Sequence, residues 1–251
     1  MINKLYWLPI GQLDIDRSSL NHHAQPGELV RLQIWSYLLE TDHGPILIDT
    51  GMPDSFINNP NYFKSTPFEG RFIPHMSADD SIVAVLDRIG YQPDDIHAIV
   101  ISHMHMDHAG GNPHFPNTPI YVQQTEADAA IGNLEYAPPE CVQADLNYRL
   151  LQGDHELVPG LQLFYTPGHS PGHQSALVAT KESGPVMLTI DVAYTQENYA
   201  NDVPFDGFDR EQARQSIARI QQIVQEVKPN LLFFGHDPEQ VAVQPVYPQY
   251  K

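Results

Sequence analysis

The chain is short of cysteine, of positive charge and of long apolar runs, and each shortage excludes a class of protein. Its 251 residues include 1 cysteine, so it cannot form the internal disulfides of a small stapled secreted scaffold. Lysine and arginine number 13 against 31 aspartates and glutamates, a formal net charge of −18. A chain this acidic repels nucleic-acid phosphates and anionic membrane surfaces, so we expect neither as a partner.

Targeting and membrane segments are also lacking. No apolar run reaches the roughly 18 residues that span a bilayer. The first residues, MINKLYWLPIGQLDIDR, have too short an apolar stretch and too early an acidic residue for a signal peptide. Hydrophobic residues make up 41% of the chain, which is enough for a core, and the length suits one large domain. We expect a single domain over residues 1–251 in a soluble cytoplasmic protein.

Two stretches of the chain resemble each other. Residues 34–51 (IWSYLLETDHGPILIDTG) and 175–192 (SALVATKESGPVMLTIDV) each comprise an apolar strand, a polar turn ending in Gly-Pro and a second apolar strand. The second strand ends at Asp49 in the first copy and at Asp191 in the second. The pattern predicts two β-hairpins. Chance similarity between two Gly-Pro hairpins is the alternative explanation.

Each hairpin precedes a helix, a strand and a histidine. The strands are predicted over residues 96–101 and 231–234, and they lead to His103 and His236. Helices on the outer faces of two packed sheets give an α/β fold, a four-layer αββα sandwich of two similar halves. Capping residues, amphipathic stretches and stop signals delimit the two helices, from Ser77 to Gly90 and from Asp209 to Pro229.

The densest chemical motif is HMHMDH at residues 103–108. In an extended or tightly turning segment His103, His105 and Asp107 can project to one side, with Met104 and Met106 on the other. Unpaired imidazoles and a carboxylate are costly to bury as core residues. A solvated polar loop would not explain the interleaved methionines or the Gly-Gly pair that follows. With 13 histidines and 1 cysteine in the chain, nitrogen and oxygen ligands for a metal are indicated.

One ion does not readily use every ligand of this motif, which favours a two-metal site. Further ligands are expected from a loop, TPGHSPGH, and from two strand ends. Asp191 can bridge both ions with its two oxygens. Zinc suits this ligand chemistry, and iron, cobalt and manganese remain open. The predicted sets are His103, His105 and His169 for one metal and Asp107, His108 and His236 for the other, with Asp191 shared.

The chain resembles the metallo-β-lactamase superfamily in the order HxHxDH, Gly-His, Asp and terminal Gly-His. Within it the chain looks like the N-acyl-homoserine lactone lactonases of the quorum-quenching type. The stretches that carry this likeness are PILIDTGMP, HMHMDHAGGN, LVPGLQLFYTPGHSPGHQS, LTIDVAYTQEN and FFGHD. The resemblance implies two zinc ions and hydrolysis of the homoserine lactone ring. It leaves a homodimer open.

Roles in lactone opening follow from the resemblance and from the chemistry. The resemblance implies that Tyr194, three residues after Asp191, donates a hydrogen bond to the carbonyl oxygen. Without the resemblance, an ordinary packed aromatic is the simpler explanation. Asp107 is expected to protonate the departing alcohol while also binding metal. We expect Asp49 to orient ligands from behind, and His173 to have a hydrogen-bonded structural role.

Residues 52–76 are predicted to form a long loop with five aromatic residues. Long loops inside compact domains are often binding loops, and aromatics can line an apolar channel for an acyl chain. Packing of the loop onto the body is an equally good explanation. Some members of the family have an aromatic residue where this chain has Met106, so acyl-chain preference can differ here. The candidate wall residues are Leu20, Phe63, Phe68 and Met106.

Other functions remain as alternatives. Related hydrolases include thioester hydrolases of the glyoxalase II type, β-lactamases and phosphotriesterases. Basic residues that would grip an anionic glutathione conjugate are scarce, which disfavours the glyoxalase reaction. Di-iron redox proteins of the superfamily often have Glu at the position of His105. A non-catalytic metal-binding protein does not explain a complete ligand set with a Tyr beside it.

Overall fold

A computed structural model describes residues 1–182, 184–201 and 207–241 of the chain. Residues 202–206 and 242–251, which belong to the predicted single domain, lie outside the described part. None of the described helices is long and apolar enough to cross a membrane. The elements follow in chain order: β1 (Ile2–Asp16), α1 (Arg17–Leu20), β2 (Leu29–Thr41), β3 (Ile46–Ile48), β4 (Phe72–His75), α2 (Ile82–Arg88), β5 (Ala98–Val100), β6 (Ile120–Gln123), α3 (Gln124–Ala130), β7 (Tyr148–Leu151), β8 (His155–Val158), β9 (Leu161–Tyr165), β10 (Gln174–Thr180), β11 (Gly184–Ile190), α4 (Gln196–Asn201), α5 (Arg210–Val227), β12 (Leu231–Phe234) and α6 (Pro238–Val241).

Both predicted hairpins are present, and the strands join through β1. The order β12-β11-β10-β1-β2-β3-β5-β6-β7 is continuous, with β4 paired to β1, β9 paired to β10 and β8 paired to β9. The link between the two halves is a single parallel pair, Ile2 with Thr180. The sheet can therefore fold over at β1, which places one half against the other.

Aromatic side chains fill the space between the two halves. Phe233 of β12 lies 5.7 Å from Trp7, 5.8 Å from Trp35 and 6.2 Å from Tyr37, as ring centroids. All four rings are buried, in the edge-on arrangement that aromatic pairs favour. The aromatic residues of β1 and β2 thus pack directly against the last strand of the other half.

Helices cover the two outer faces, so the layers are those of the predicted αββα sandwich. Helix α2 packs Val85 and Leu86 against the first half, and α5 packs Ile217 and Ile220 against the second. The α5 helix begins at Asp209, whose side chain accepts from the Gln212 amide. The first helix is shorter than predicted, because residues 78–80 form a separate 3-10 turn before Ser81 caps α2.

The segment 52–76 was predicted to be a loop throughout, and the structure corrects this. It contains a 3-10 turn, Asp54–Phe56, and ends in β4, which pairs antiparallel with β1 from Gln12 to Ile15. Phe56 is fully buried. The segment is therefore attached to the body by backbone hydrogen bonds, while its middle part is free to border a cavity.

The predicted metal-ligand residues follow the ends of strands and lie together at one edge of the molecule. The HMHMDH segment follows β5, the TPGHSPGH loop follows β9, and Asp191 and His236 follow β11 and β12. The chain turns tightly at each place. A Cβ at Gly235 would stand 2.8 Å from Asp191 Oδ1, and one at Gly110 would stand 2.1 Å from the Pro53 nitrogen. Glycine at these two positions allows the close approach that the edge requires.

Candidate metal centre

Three histidines converge on one point, and we call them the histidine trio: His103, His105 and His169. The Nε2 atom of His169 lies 3.0 Å from His103 Nε2 and 3.0 Å from His105 Nδ1. Burial lowers the pKa of each imidazole below its ordinary value. Neutral rings with converging lone pairs are the form in which histidine binds a metal ion.

A second cluster lies beside the trio, and we call it the Asp107 group: Asp107, His108 and His236. Asp107 Oδ2 is 3.5 Å from the Nε2 atoms of both His108 and His236. Burial alone would lower the pKa of both histidines. The pKa of His108 is nevertheless raised by Asp107 and Asp191, and the pKa of His236 is raised by Asp191. Burial opposes ionisation of Asp107, but the two histidines lower its pKa to about 2. The group therefore places a carboxyl with a lowered pKa beside two histidines with raised pKa values, so that opposite charges stabilise each other.

Asp191 lies between the two groups. Its Oδ2 atom is 3.4 Å from the Nε2 atoms of His169 and His108 and 3.7 Å from that of His103. Its Oδ1 atom is 3.2 Å from His236 Nε2. One carboxylate therefore faces both groups, as a bridging ligand requires.

The polar atoms at this point lack partners that a cation would supply. Asp191 Oδ1 and His108 Nε2 are buried and make no hydrogen bond among the described residues. Orphaned buried atoms of this kind are rare and need an explanation. The ligand atoms within each group lie within 4.8 Å of one another. The donor set of five imidazoles and two carboxylates fits divalent cations.

Asp49 supports the histidines from behind, as the sequence predicted. Its Oδ2 atom lies 2.8 Å from His108 Nδ1, and it accepts from both the amide and the hydroxyl of Ser102 at 2.7 Å. The Ser102 hydroxyl in turn lies 3.1 Å from His103 Nδ1. Because the Nδ1 side is held, the Nε2 side of each ring is directed at the site.

His173 has the structural role expected for it. Its Nε2 atom accepts from the Asp191 amide at 3.0 Å, and its Nδ1 atom lies 2.9 Å from the Thr166 hydroxyl. Burial lowers the pKa of His173 to about 3, so the ring stays neutral and remains an acceptor. Ile190, the residue before Asp191, has a backbone φ angle of 53°, an unusual conformation for a β-branched residue. The backbone at Asp191 is thus held by a specific contact.

Tyr194 lies at the edge of both groups. Its hydroxyl is 3.2 Å from His169 Nδ1, and its ring centroid is 5.4 Å from that of His169 and 5.6 Å from that of His236. When His169 uses Nε2 as a ligand, its Nδ1–H can donate to the tyrosine oxygen. Tyr194 also lines the cavity that opens over this centre.

A cavity of about 740 Å³ opens over the metal centre. Phe63, Phe68, Met106 and Tyr194 line it, together with Asp107 and Asp191. Phe68 is 47% exposed and forms part of the rim. Leu20 was expected in this wall, but it is not among the lining residues. Its side chain is buried in the apolar cluster behind the wall, because the short helix α1 turns it inward.

The two methionines of HMHMDH have different environments. Met104 is fully buried in the core, whereas Met106 lines the cavity with His105 and Asp107. The reason is a turn, since the amides of His108 and Ala109 both donate to the His105 carbonyl. The turn brings Met106 round to the ligand side.

Sequence patterns did not indicate one buried acidic residue that lies beside the metal centre. Cys141 is buried, and burial raises the pKa of its thiol. Glu126, on α3, is fully buried against the metal-centre loops, and no sequence signal distinguishes it from a solvent-facing glutamate of a short helix. Seven further histidines stand in polar stretches of the sequence, which predicts surface positions, and all are at least partly exposed: His22, His23, His43, His75, His97, His114 and His155.

Known proteins match the chain over its whole length. Residues 29–236 match the model of the metallo-beta-lactamase superfamily. N-acyl homoserine lactonase AiiA of Bacillus thuringiensis subsp. kurstaki is 52% identical over 249 residues, 99% of each chain. A solved N-acyl homoserine lactone hydrolase, with the product N-hexanoyl-L-homoserine at its catalytic metal centre, superimposes with a TM-score of 0.97 over 100% of both chains at 52% identity. A B. thuringiensis AiiA mutant with bound N-decanoyl-L-homoserine gives the same values. The chain therefore belongs to the metallo-beta-lactamase superfamily, within the branch that holds these N-acyl homoserine lactonases.

Proposed function

We propose that this protein hydrolyses the ring ester of N-acyl homoserine lactones to N-acyl homoserines, a quorum-quenching reaction. The observation that carries the proposal is the complete double ligand set at the floor of an apolar-walled cavity, with Tyr194 beside it. Full-length relatives at 52% identity are N-acyl homoserine lactonases, and two solved relatives hold acyl-homoserine ligands in this reaction's product form.

We assign one divalent cation to the histidine trio and one to the Asp107 group, with Asp191 shared. The absence of a thiolate in either group suits zinc, and the same nitrogen and oxygen set accepts iron, cobalt or manganese. Bound there, two such cations supply Lewis acidity and lower the pKa of water to about 7. The side chains would hold the ions in place, and the proposed chemistry is hydrolytic.

The remaining roles belong to side chains of the chain. Tyr194 donates a hydrogen bond to the lactone carbonyl oxygen as negative charge develops on it. Water adds to the carbonyl carbon, the ring C–O bond breaks, and Asp107 passes the proton lost by the water to the leaving alkoxide. A carboxylate with a low pKa can do this because it holds the proton only in transit.

The substrate assay is the direct test of the function. We expect the zinc-loaded protein to release protons in a pH-stat with hexanoyl- and decanoyl-homoserine lactone, at a kcat/KM of about 10⁴ M⁻¹s⁻¹ or higher. A phosphotriester, a β-lactam and a glutathione thioester serve as comparison substrates. Faster turnover of any of these than of every lactone would reassign the protein to that hydrolase class.

The rim of the cavity is expected to set acyl-chain preference. Changing Phe68 to alanine removes a half-exposed ring, and we expect kcat/KM for the decanoyl substrate to fall about tenfold, since about 1.4 kcal/mol of apolar contact is lost. The butanoyl substrate is the internal control because its short tail does not reach the rim. An equal loss for both substrates would show that the ring supports the fold rather than the tail.

A cytoplasmic location remains a prediction from composition and charge. We infer a small-molecule substrate as the one partner of the cavity, with no nucleic acid or membrane partner. A homodimer is compatible with these assignments, and light scattering of the metal-loaded protein measures it.

A further inference from the structure

A buried carboxylate outside the ligand sets is bonded to both loops of the histidine trio. Glu126 is 0% exposed and accepts four hydrogen bonds. Its Oε1 atom accepts from the Met104 amide at 2.8 Å and the Tyr136 hydroxyl at 2.6 Å. Its Oε2 atom accepts from the Ser170 hydroxyl at 2.7 Å and the Gly172 amide at 2.8 Å. Every one of these donors is a hydroxyl or an amide, and none is a basic side chain.

Three of the four donors, Met104, Ser170 and Gly172, lie on the segments that carry the trio, and the fourth, Tyr136, lies on a third segment. Met104 separates His103 from His105, and Ser170 directly follows His169. The Tyr136 ring packs on that of His105 with centroids 5.5 Å apart. The carboxylate therefore ties the HMHMDH turn to the TPGHSPGH loop.

The contact between helix α3 and the second loop is close. A Cβ placed on Gly172 would stand 2.4 Å from both the nitrogen and the Cβ of Glu126. Glycine is thus required at this point for the loop to reach the carboxylate. The approach is built into the backbone as well as into the side-chain hydrogen bonds.

The trio needs such support because its members repel one another in the absence of a cation. In the tautomers that bind a metal ion, ring nitrogens 3.0 Å apart direct their lone pairs at one another, so the loops that carry them must be held from outside the trio. Charge-assisted hydrogen bonds are shorter and stronger than neutral ones. A carboxylate saturated with four of them can hold both loops at fixed distance.

We propose that Glu126 is a positioning residue for the metal ion of the histidine trio, fixing the two loops whose imidazoles bind it. The metal ion itself rests on the proposed function. Glu126 touches neither the ligand nitrogens nor the cavity, so it acts through the loops. It should govern one of the two metal sites and leave the other nearly unchanged.

The test is metal binding by the Glu126→Gln variant. Glutamine keeps the shape, but either amide orientation turns an NH₂ group toward one backbone N–H, of Met104 or of Gly172, which cannot rotate away. We expect the affinity for Co²⁺ of one equivalent to fall about 10- to 100-fold, with the second equivalent within about threefold of wild type. Titration with Co²⁺ against a chelator, followed by the cobalt absorption spectrum, measures the affinities of both equivalents. The His105→Ala variant shows which equivalent binds at the histidine trio.

Two further variants separate positioning from folding. Glu40→Gln is the matched control, because Glu40, like Glu126, accepts from two side-chain hydroxyls, here those of Tyr6 and Tyr91 at 2.5 and 3.0 Å, away from the metal centre. It should leave both equivalents unchanged. If Glu126→Gln does not fold, Ser170→Ala takes its place, because it removes one hydrogen bond to Glu126 and keeps the Glu126 carboxylate. We then expect a smaller loss of Co²⁺ affinity in the same equivalent.

The outcomes are distinct from those of the lactone assay, since cobalt binding is measured without substrate. Wild-type affinity at both equivalents in a folded Glu126→Gln protein, or in Ser170→Ala where that variant stands in, overturns the proposal. So does an equal loss at both equivalents, which is the signature of a general effect on the fold. A loss confined to the trio supports it whether or not any lactone is hydrolysed.

Discussion

Replacing Asp191 with asparagine is expected to abolish the binding of at least one metal ion and lactone hydrolysis together. The two oxygens of Asp191 face four histidines at 3.2 to 3.7 Å, so the carboxylate contributes to both ligand groups. The pKa of Asp191 is held well below its ordinary value because His236 and His108 outweigh its burial. The amide keeps the volume and one oxygen but removes the negative charge between the two cations.

We expect metal content to fall from two ions per chain to one or none, and kcat/KM to fall at least about 10³-fold, because water is then no longer activated near neutral pH. Elemental analysis after gel filtration gives the first number, and the pH-stat assay gives the second. Asp16→Asn is the matched control, since Asp16 is also a buried, hydrogen-bonded aspartate but belongs neither to the ligand groups nor to the cavity lining. Retention of two tightly bound ions by Asp191→Asn would remove Asp191 from the ligand set.

The arrangement of the metal centre was predictable because its members directly follow strands. His103, Asp191 and His236 each come within a few residues of a strand end, and strand ends of an α/β sheet meet at one edge. The spacing within HMHMDH also limits which side chains can point together. These local signals predict the ligand set without knowledge of how the two halves pack.

Other features depend on contacts between distant segments, which no local pattern records. Pairing of β4 with β1 turns part of the expected loop into a strand, and the inward turn of α1 removes Leu20 from the wall. A tight turn at His105 places Met106 on the ligand side. Glu126 is the extreme case, because its four donors come from three separate segments.

The continuity of the sheet is a further example. Periodicity predicts each hairpin, but the two halves are joined by one residue pair at the start of a 15-residue strand. That strand also shifts register between Pro9 and Gln12, which lets it bend along its length. Phe233 packs among rings of β1 and β2 that lie far from it in the sequence, and no local pattern records those contacts.

Replacing Tyr194 with phenylalanine is expected to slow turnover while leaving both metal ions in place. The Tyr194 hydroxyl lies on the cavity wall and can donate to a carbonyl oxygen, because its own oxygen can accept a hydrogen bond from His169 Nδ1–H. Removing one such donor from an oxyanion site costs about 10²- to 10³-fold in kcat. KM should change little, because the hydrogen bond strengthens only as charge develops on the oxygen.

The decisive comparison is between turnover and metal content in the same preparation. The bond from Tyr194 to His169 is long at 3.2 Å, so the ligand retains its position when the hydroxyl is lost and two ions per chain are expected. Tyr199→Phe is the matched control, because Tyr199 packs on Phe234 and does not line the cavity. A loss of metal in proportion to activity would instead assign Tyr194 to the orientation of His169. A drop in kcat at full occupancy, absent from Tyr199→Phe, is the result that places the hydroxyl on the reacting carbonyl.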